Sequence, residues 1–99
     1  MSLPAALAAD ANLPDTAYFF VHARAEPGVM PRVLELFAKR GLVPTRWHSG
    51  ISGSDPGELA IAIEMGGLDR EIIDYIAVCL RQIAFVEIVL TTRGGGGAG

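Results

Sequence analysis

The sequence predicts an α+β domain of ferredoxin-like βαββαβ topology: a four-stranded antiparallel sheet with two helices on one face. Three observations lead there. The chain has 99 residues, 51% of them apolar, which is one domain with material for one core. Its apolar residues alternate with period two in four short stretches and with helical spacing in two others. Glycine and proline fall between those stretches, so the element boundaries are marked in the chain itself.

The first strand is Tyr18 to Arg24, with Phe19, Val21 and Ala23 on one face and Tyr18, Phe20 and His22 on the other. The turn Ala25-Glu26-Pro27-Gly28 ends it. A helix is expected over Val29 to Arg40, with Met30, Val33, Leu34 and Phe37 as its buried stripe. Pro31 is tolerated in the first turn, where its missing N–H has no helical acceptor. Glu35 and Lys39 form an i,i+4 pair on the wet side, and Gly41 stands where a left-handed C-terminal cap belongs. A second strand, Val43 to Ser52, enters through Pro44, which suits an edge. The loop Ser54-Asp55-Pro56-Gly57 leads into a third strand, Glu58 to Met65, with Leu59, Ile61, Ile63 and Met65 alternating against Ala60, Ala62 and Glu64. Gly66-Gly67 stops it. Asp69 suits the N-cap of a second helix ending near Gln82, with Ile72, Ile73, Ile76, Leu80 and Ile83 facing the core. Phe85 to Thr91 is the last strand.

Each βαβ crossover is right-handed, so both helices fall on one side of the sheet. The other side is left bare, carrying Tyr18, Phe20 and His22 with the small Ala60 and Ala62 beside them. The domain is expected over 17–92, preceded by a tail or arm over 1–16 and followed by a flexible Gly-rich tail over 93–99.

Composition excludes several classes of function. A net charge of −3 offers no surface for tracking phosphates, and no Lys/Arg cluster suits an anionic membrane. No apolar run reaches membrane-spanning length, and the Ala/Leu-rich start, broken by Asp10 and Asn12, lacks the basic segment of a signal peptide. With Cys79 as the single cysteine, no internal disulfide and no thiolate metal cage can form, and a cytoplasmic location is expected. Cys79 itself is expected to be a small buried hydrophobe within the second helix. His22 and His48 show no metal-ligand spacing and read as polar strand positions. No paired carboxylates, phosphate loop or nucleophile–base constellation is evident, so no catalytic residue, metal or cofactor is expected.

The informative segment is the turn after the first strand. At Pro27-Gly28 the chain passes tightly from strand to helix, and the N–H groups of Gly28, Val29 and Met30 face the positive end of the helix dipole. Such a terminus can hold a carboxylate; in many βα turns water fills the same role.

The stretch from Ala25 to Gly41, with Pro27-Gly28-Val29-Met30 and Leu36-Phe37-Ala38-Lys39-Arg40-Gly41, resembles the opening of ACT domains. It is most similar to the regulatory small subunit of acetolactate synthase, together with Val21-His22-Ala23-Arg24 and Arg32-Val33-Leu34. The resemblance covers about residues 18 to 91. It implies a non-catalytic regulatory domain of branched-chain amino-acid biosynthesis that pairs with a second copy and acts on a catalytic large subunit. It also implies an amino-acid effector whose carboxylate is met by the loop Ala25, Glu26, Pro27, Gly28, Val29 and Met30. In that family an Asn or Asp before the turn anchors the effector ammonium, and valine-sensing members carry an Asn after the first helix. The matching positions here are Ala25 and Val43, with Glu26 next to the first, so valine is expected to bind weakly or not at all.

A homodimer is expected on separate grounds: strand edges remain open, and the second helix carries an arc of Tyr75, Ala77, Val78 and Cys79 wider than one small sheet covers. That arc also suits a helix–helix contact inside the domain. Two other functions fit the same fold. An acylphosphatase-like hydrolase needs an Arg at the turn and a nearby Asn; Arg24 is present, but Asn12 is the only asparagine. An RNA-binding sheet needs stacking aromatics; Tyr18 and Phe20 qualify, but the third strand has none and the net charge opposes it.

Overall fold

The computed structural model describes residues 16–52 and 56–94. The elements are β1 (Thr16–Arg24), α1 (Val29–Ala38), β2 (Arg46–Ile51), β3 (Glu58–Gly66), α2 (Arg70–Arg81) and β4 (Val86–Gly94). The four strands form one sheet in the order β2-β3-β1-β4, and all three pairings are antiparallel. This is the ferredoxin-like βαββαβ fold that the periodicity predicts. Most of the 1–16 arm, the tip of the 54–57 loop and the end of the Gly-rich tail lie outside the described residues.

β1 and β3 are central strands and show the cleanest alternation. Ala17, Phe19, Val21 and Ala23 are buried on the helix side, paired with the buried Met65, Ile63, Ile61 and Leu59. The helices lie over this layer. Phe37 meets Phe19 edge to face, with ring centroids 5.8 Å apart and planes at 74°. No buried polar or charged side chain is found among the described residues.

Both helices are rotated relative to the stripes read from the sequence. α1 buries Val29, Val33, Leu36 and Phe37, while Met30 and Leu34 are 37% and 46% exposed. Six large apolar residues in ten positions allow two overlapping arcs that share Val33 and Phe37, and packing on the sheet buries Val29 and Leu36 in place of Met30 and Leu34. Met30 turns instead toward β2, where the Ser49 hydroxyl donates to its sulfur at 3.3 Å. α2 buries Ile73, Ile76, Ala77 and Leu80 and leaves Ile72 at 41% exposure. Asp69 occupies the N-cap of α2, yet its side chain makes no capping hydrogen bond, contrary to expectation.

Gly41 does adopt φ +70°, with its N–H donating to Ala38 O at 2.9 Å and that of Leu42 to Phe37 O at 3.0 Å, so α1 ends as its glycine predicts. The second strand is shorter than expected, starting at Arg46 rather than Val43. Pro44 brings no N–H to the ladder, and pairing with β3 begins only where the Thr45 N–H and hydroxyl donate to Glu64 O at 2.8 and 3.0 Å. The last strand begins one residue late because Phe85 takes φ +75°, a conformation side chains resist by about 1–2 kcal/mol. The Arg24 N–H, donating to Phe85 O at 2.9 Å, fixes that carbonyl.

Cys79 departs from the expectation of full burial. It is half-buried at the edge of the α1–α2 contact, and Arg40, remote in sequence, donates to its sulfur at 3.7 Å. The same guanidinium lies 5.0 Å from the centre of the Tyr75 ring. The wide arc of α2 therefore divides. Ala77 and Cys79 meet the rest of the domain, while Ile72, Tyr75 and Val78 keep 41–55% of their surface exposed.

Candidate functional site

The chain leaves β1 at Arg24 and crosses to α1 in four residues, held by several backbone bonds. The Ala25 N–H donates to Gly57 O at 2.8 Å, which ties the turn to the start of β3. The Glu26 N–H donates to Arg24 O at 2.7 Å, and the Val29 N–H donates back to Glu26 O at 3.1 Å. Val29 is thus not a free donor, and its side chain, 1% exposed, belongs to the core. Among the described residues, Gly28 and Met30 are left as the turn's N–H groups without a backbone acceptor. The oriented donors at the helix start are therefore two, not the three counted from the sequence.

Gly28 sits at the α1 N-cap with φ −81° and ψ −6°, an ordinary right-handed conformation open to any residue. A Cβ added there would come no closer than 3.5 Å to its nearest neighbour, the Arg32 guanidinium, which is normal contact. Neither crowding nor backbone strain requires glycine at this position.

The side chains of Ala25, Glu26, Pro27 and Met30 gather around a shallow hollow of about 150 Å³, closed on its far side by Ile51 and Leu59. Its accessible surface is almost wholly apolar, with Glu26 the one ionisable residue at its wall among the described residues. Ile51 and Leu59 were not among the site residues expected from the sequence. They arrive as a register pair of β2 and β3, side by side on the helix face beneath the turn. Alternation in Trp47, Ser49 and Ile51 assigns Ile51 to that face, but only the pairing register brings it to the turn. β2 holds its place through a short relay: Trp47 Nε1–H donates to Ser49 Oγ at 3.2 Å, which donates to Met30 sulfur.

Other hollows flank the helices and the sheet, among them one of about 320 Å³ between Arg70 and Asp74 of α2 and Thr91 to Arg93 of β4. One of about 300 Å³ lies between α1 and α2, lined by Arg32, Glu35, Lys39, Arg40 and Cys79. Lys39 and Glu35 pair there at 3.7 Å on the surface. Another, of about 230 Å³, lies on the open sheet face against Tyr18, Phe20, His48 and Ala62. Arg24, the cation a hydrolase reading depends on, is exposed at the end of β1, in the row that faces away from the helices. No helix among the described residues is long and apolar enough to cross a membrane.

No protein-family model matches the sequence, and no curated protein matches it. Solved structures do. The ACT domain from GTP pyrophosphokinase of Chlorobium tepidum superposes with a TM-score of 0.67 at 11% identity, covering 79% of this chain and 99% of that one. The C-terminal domain of the MgtC protein from Mycobacterium tuberculosis superposes with a TM-score of 0.65 at 15% identity, covering 86% and 93%. The regulatory subunit of aspartate kinase from Thermus flavus gives a TM-score of 0.60 at 20% identity; 82% of this chain matches 52% of that subunit. The chain has the fold of ACT domains. At these identities the likeness speaks to the fold and does not extend to the acetolactate synthase small subunit in particular.

Proposed function

We propose that the chain is a non-catalytic regulatory domain of the ACT type, which binds a small amino acid at the β1–α1 turn and works through a second copy and a catalytic partner. The observation that carries this reading is the apolar hollow bordered by Ala25, Glu26, Pro27 and Met30 at a turn whose Gly28 and Met30 N–H groups have no backbone acceptor. The donors suit a carboxylate at a helix start, and Ile51, Leu59 and Met30 suit an aliphatic side chain. Glu26 at the wall suits an ammonium in place of the missing amide at Ala25.

The hollow is about half the volume of a typical small-molecule pocket, which begins near 300 Å³. It opens beside β2, an edge strand with one ladder only. A second copy laid along that edge would double the wall and complete the site, which explains why a single copy shows only a shallow depression. The catalytic partner with the strongest support from the resemblance is acetolactate synthase, through the Pro27-Gly28 turn and the Leu36-Phe37 helix segment.

Titration calorimetry against the twenty amino acids tests the reading. It expects binding of at least one amino acid, lost on Glu26→Gln, with valine among the weak or silent ligands. A folded protein that takes up none of them, alone or mixed with an acetolactate synthase large subunit, refutes it.

A further inference from the structure

The sheet face opposite the helices is built as a step. Three rows of side chains cross all four strands in register. From β2 to β4 they are Arg46, Glu64, Tyr18 and Thr92; His48, Ala62, Phe20 and Leu90; and Gly50, Ala60, His22 and Ile88. In the second and third rows the β2–β3 half is low at Ala62, Ala60 and Gly50, with His48 the one large side chain at its outer edge, and the β1–β4 half is high, with Phe20, Leu90, His22 and Ile88. The low half holds the hollow of about 230 Å³. The high half leaves Phe20, Ile88 and Leu90 39%, 51% and 57% exposed. Adjacent large apolar side chains at that exposure mark a surface that is covered in the working state.

We infer that a second copy of this chain covers the face, sheet against sheet, about a two-fold axis lying between the sheets and parallel to the strands. That operation keeps each row level and exchanges its ends. β1 of one copy then lies over β3 of the other, and β4 over β2. Phe20 settles over Ala62, His22 over Ala60 and Ile88 over Gly50, so these three high positions meet low ones, and Leu90 meets the His48 ring at the rim. The charged row is matched as well: Tyr18 meets Glu64 and Thr92 meets Arg46, so hydroxyls face the 3.3 Å Arg46–Glu64 ion pair and no like charges oppose. An axis across the strands would instead stack Leu90 and Ile88 against β4 of the second copy and leave both low halves empty.

The size is sufficient. Strands of nine, six, nine and nine residues, at ~4.8 Å between strands and ~3.3 Å per residue, give a footprint of about 500 Å² per copy and about 1,000 Å² for the pair before side-chain relief is added. Specific interfaces start near that value. Aligned sheet packing at ~10 Å separation, with strands within about 30° of each other, accommodates such a pair. This surface is separate from the β2 edge invoked for the effector site.

Two measurements on the full chain decide it, in a Cys79→Ser background. In the first, chains carrying His48→Cys are mixed with chains carrying Leu90→Cys and oxidised. The mixed disulfide is expected to form at least tenfold faster than either self-disulfide, since only the unlike pair is opposed. Edge-to-edge pairing of β2 would instead favour the His48→Cys self-disulfide, which separates this interface from that of the effector site. In the second, sedimentation at micromolar concentration compares the unsubstituted chain with Ile88→Glu/Leu90→Glu. The double substitution is expected to halve the assembly mass and to leave the far-UV spectrum and thermal unfolding cooperative, since both side chains are exposed in the single copy. Both results are required. A parent protein that sediments as one chain, an unchanged mass in the double variant, or a mixed disulfide no faster than the self-disulfides overturns the inference.

Discussion

Gly28→Val is the most informative single substitution at the β1–α1 turn, because the structure separates its stability effect from its functional one. The backbone there is right-handed, so a side chain meets no conformational penalty of the kind that applies at positive φ. The nearest atom to a new Cβ is the end of a mobile arginine at 3.5 Å. Two terms remain. Replacing glycine at an N-cap by an aliphatic residue costs about 0.5–1 kcal/mol. Restricting the unfolded chain returns about 0.4–1 kcal/mol. The net change is within about 1 kcal/mol, which for a domain of this size moves Tm by no more than about 4–8 °C. The Gly28 N–H, by contrast, is one of the turn's two donors without a backbone acceptor, and a branched side chain beside it stands in the way of a group approaching it. Thermal unfolding measured beside amino-acid titration reads both effects. The expected result is a near-native Tm with binding lost. Unchanged binding in a stable Gly28→Val protein refutes the placement of the ligand at this turn. A fall of 15 °C or more refutes the claim that the position is open.

Further outcomes follow from the packing. Phe37→Ala removes a fully buried ring and its edge contact with Phe19, and is expected to lower stability by about 3–5 kcal/mol in urea unfolding. Gly41→Ala places a side chain at φ +70° and should cost about 1–2 kcal/mol although nothing lies within 4 Å of the new Cβ, so a neutral result would contradict the left-handed cap. Arg81→Ala breaks the 2.8 Å bond from the guanidinium to Val89 O, which ties α2 to β4, and should cost about 1–2 kcal/mol, visible as faster amide exchange in β4. Arg46→Ala removes an ion pair whose arginine is mostly exposed, and should change stability by less than about 1 kcal/mol in salt-dependent unfolding.

The order of elements, their types and the central strands were legible in the residues themselves. Alternation in Phe19, Val21 and Ala23 and in Leu59, Ile61, Ile63 and Met65 states which face is buried, because period two has one answer once one face is apolar. The turn after β1, the cap at Gly41 and the bare face with Tyr18, Phe20 and His22 were equally readable, each set by local chemistry. The helix faces were not. Val29, Met30, Val33, Leu34, Leu36 and Phe37 form one arc of about 160° around α1, and which edge of that arc turns inward depends on how the helix seats on the sheet. Arg40 beside Cys79 and Tyr75 escapes any local reading for the same reason, since the partners lie 39 and 35 residues away. The site divides along that line. Of the candidate residues, Ala25, Glu26, Pro27 and Met30 are neighbours in the chain and border the hollow together. Ile51 and Leu59 complete the hollow only through the β2–β3 register, and the stepped face exists only because four strands bring small residues to one side and large ones to the other. Sequence determines what each segment prefers to bury; tertiary structure decides which segments meet, because hydrophobic burial is non-directional and leaves the choice of partner to packing.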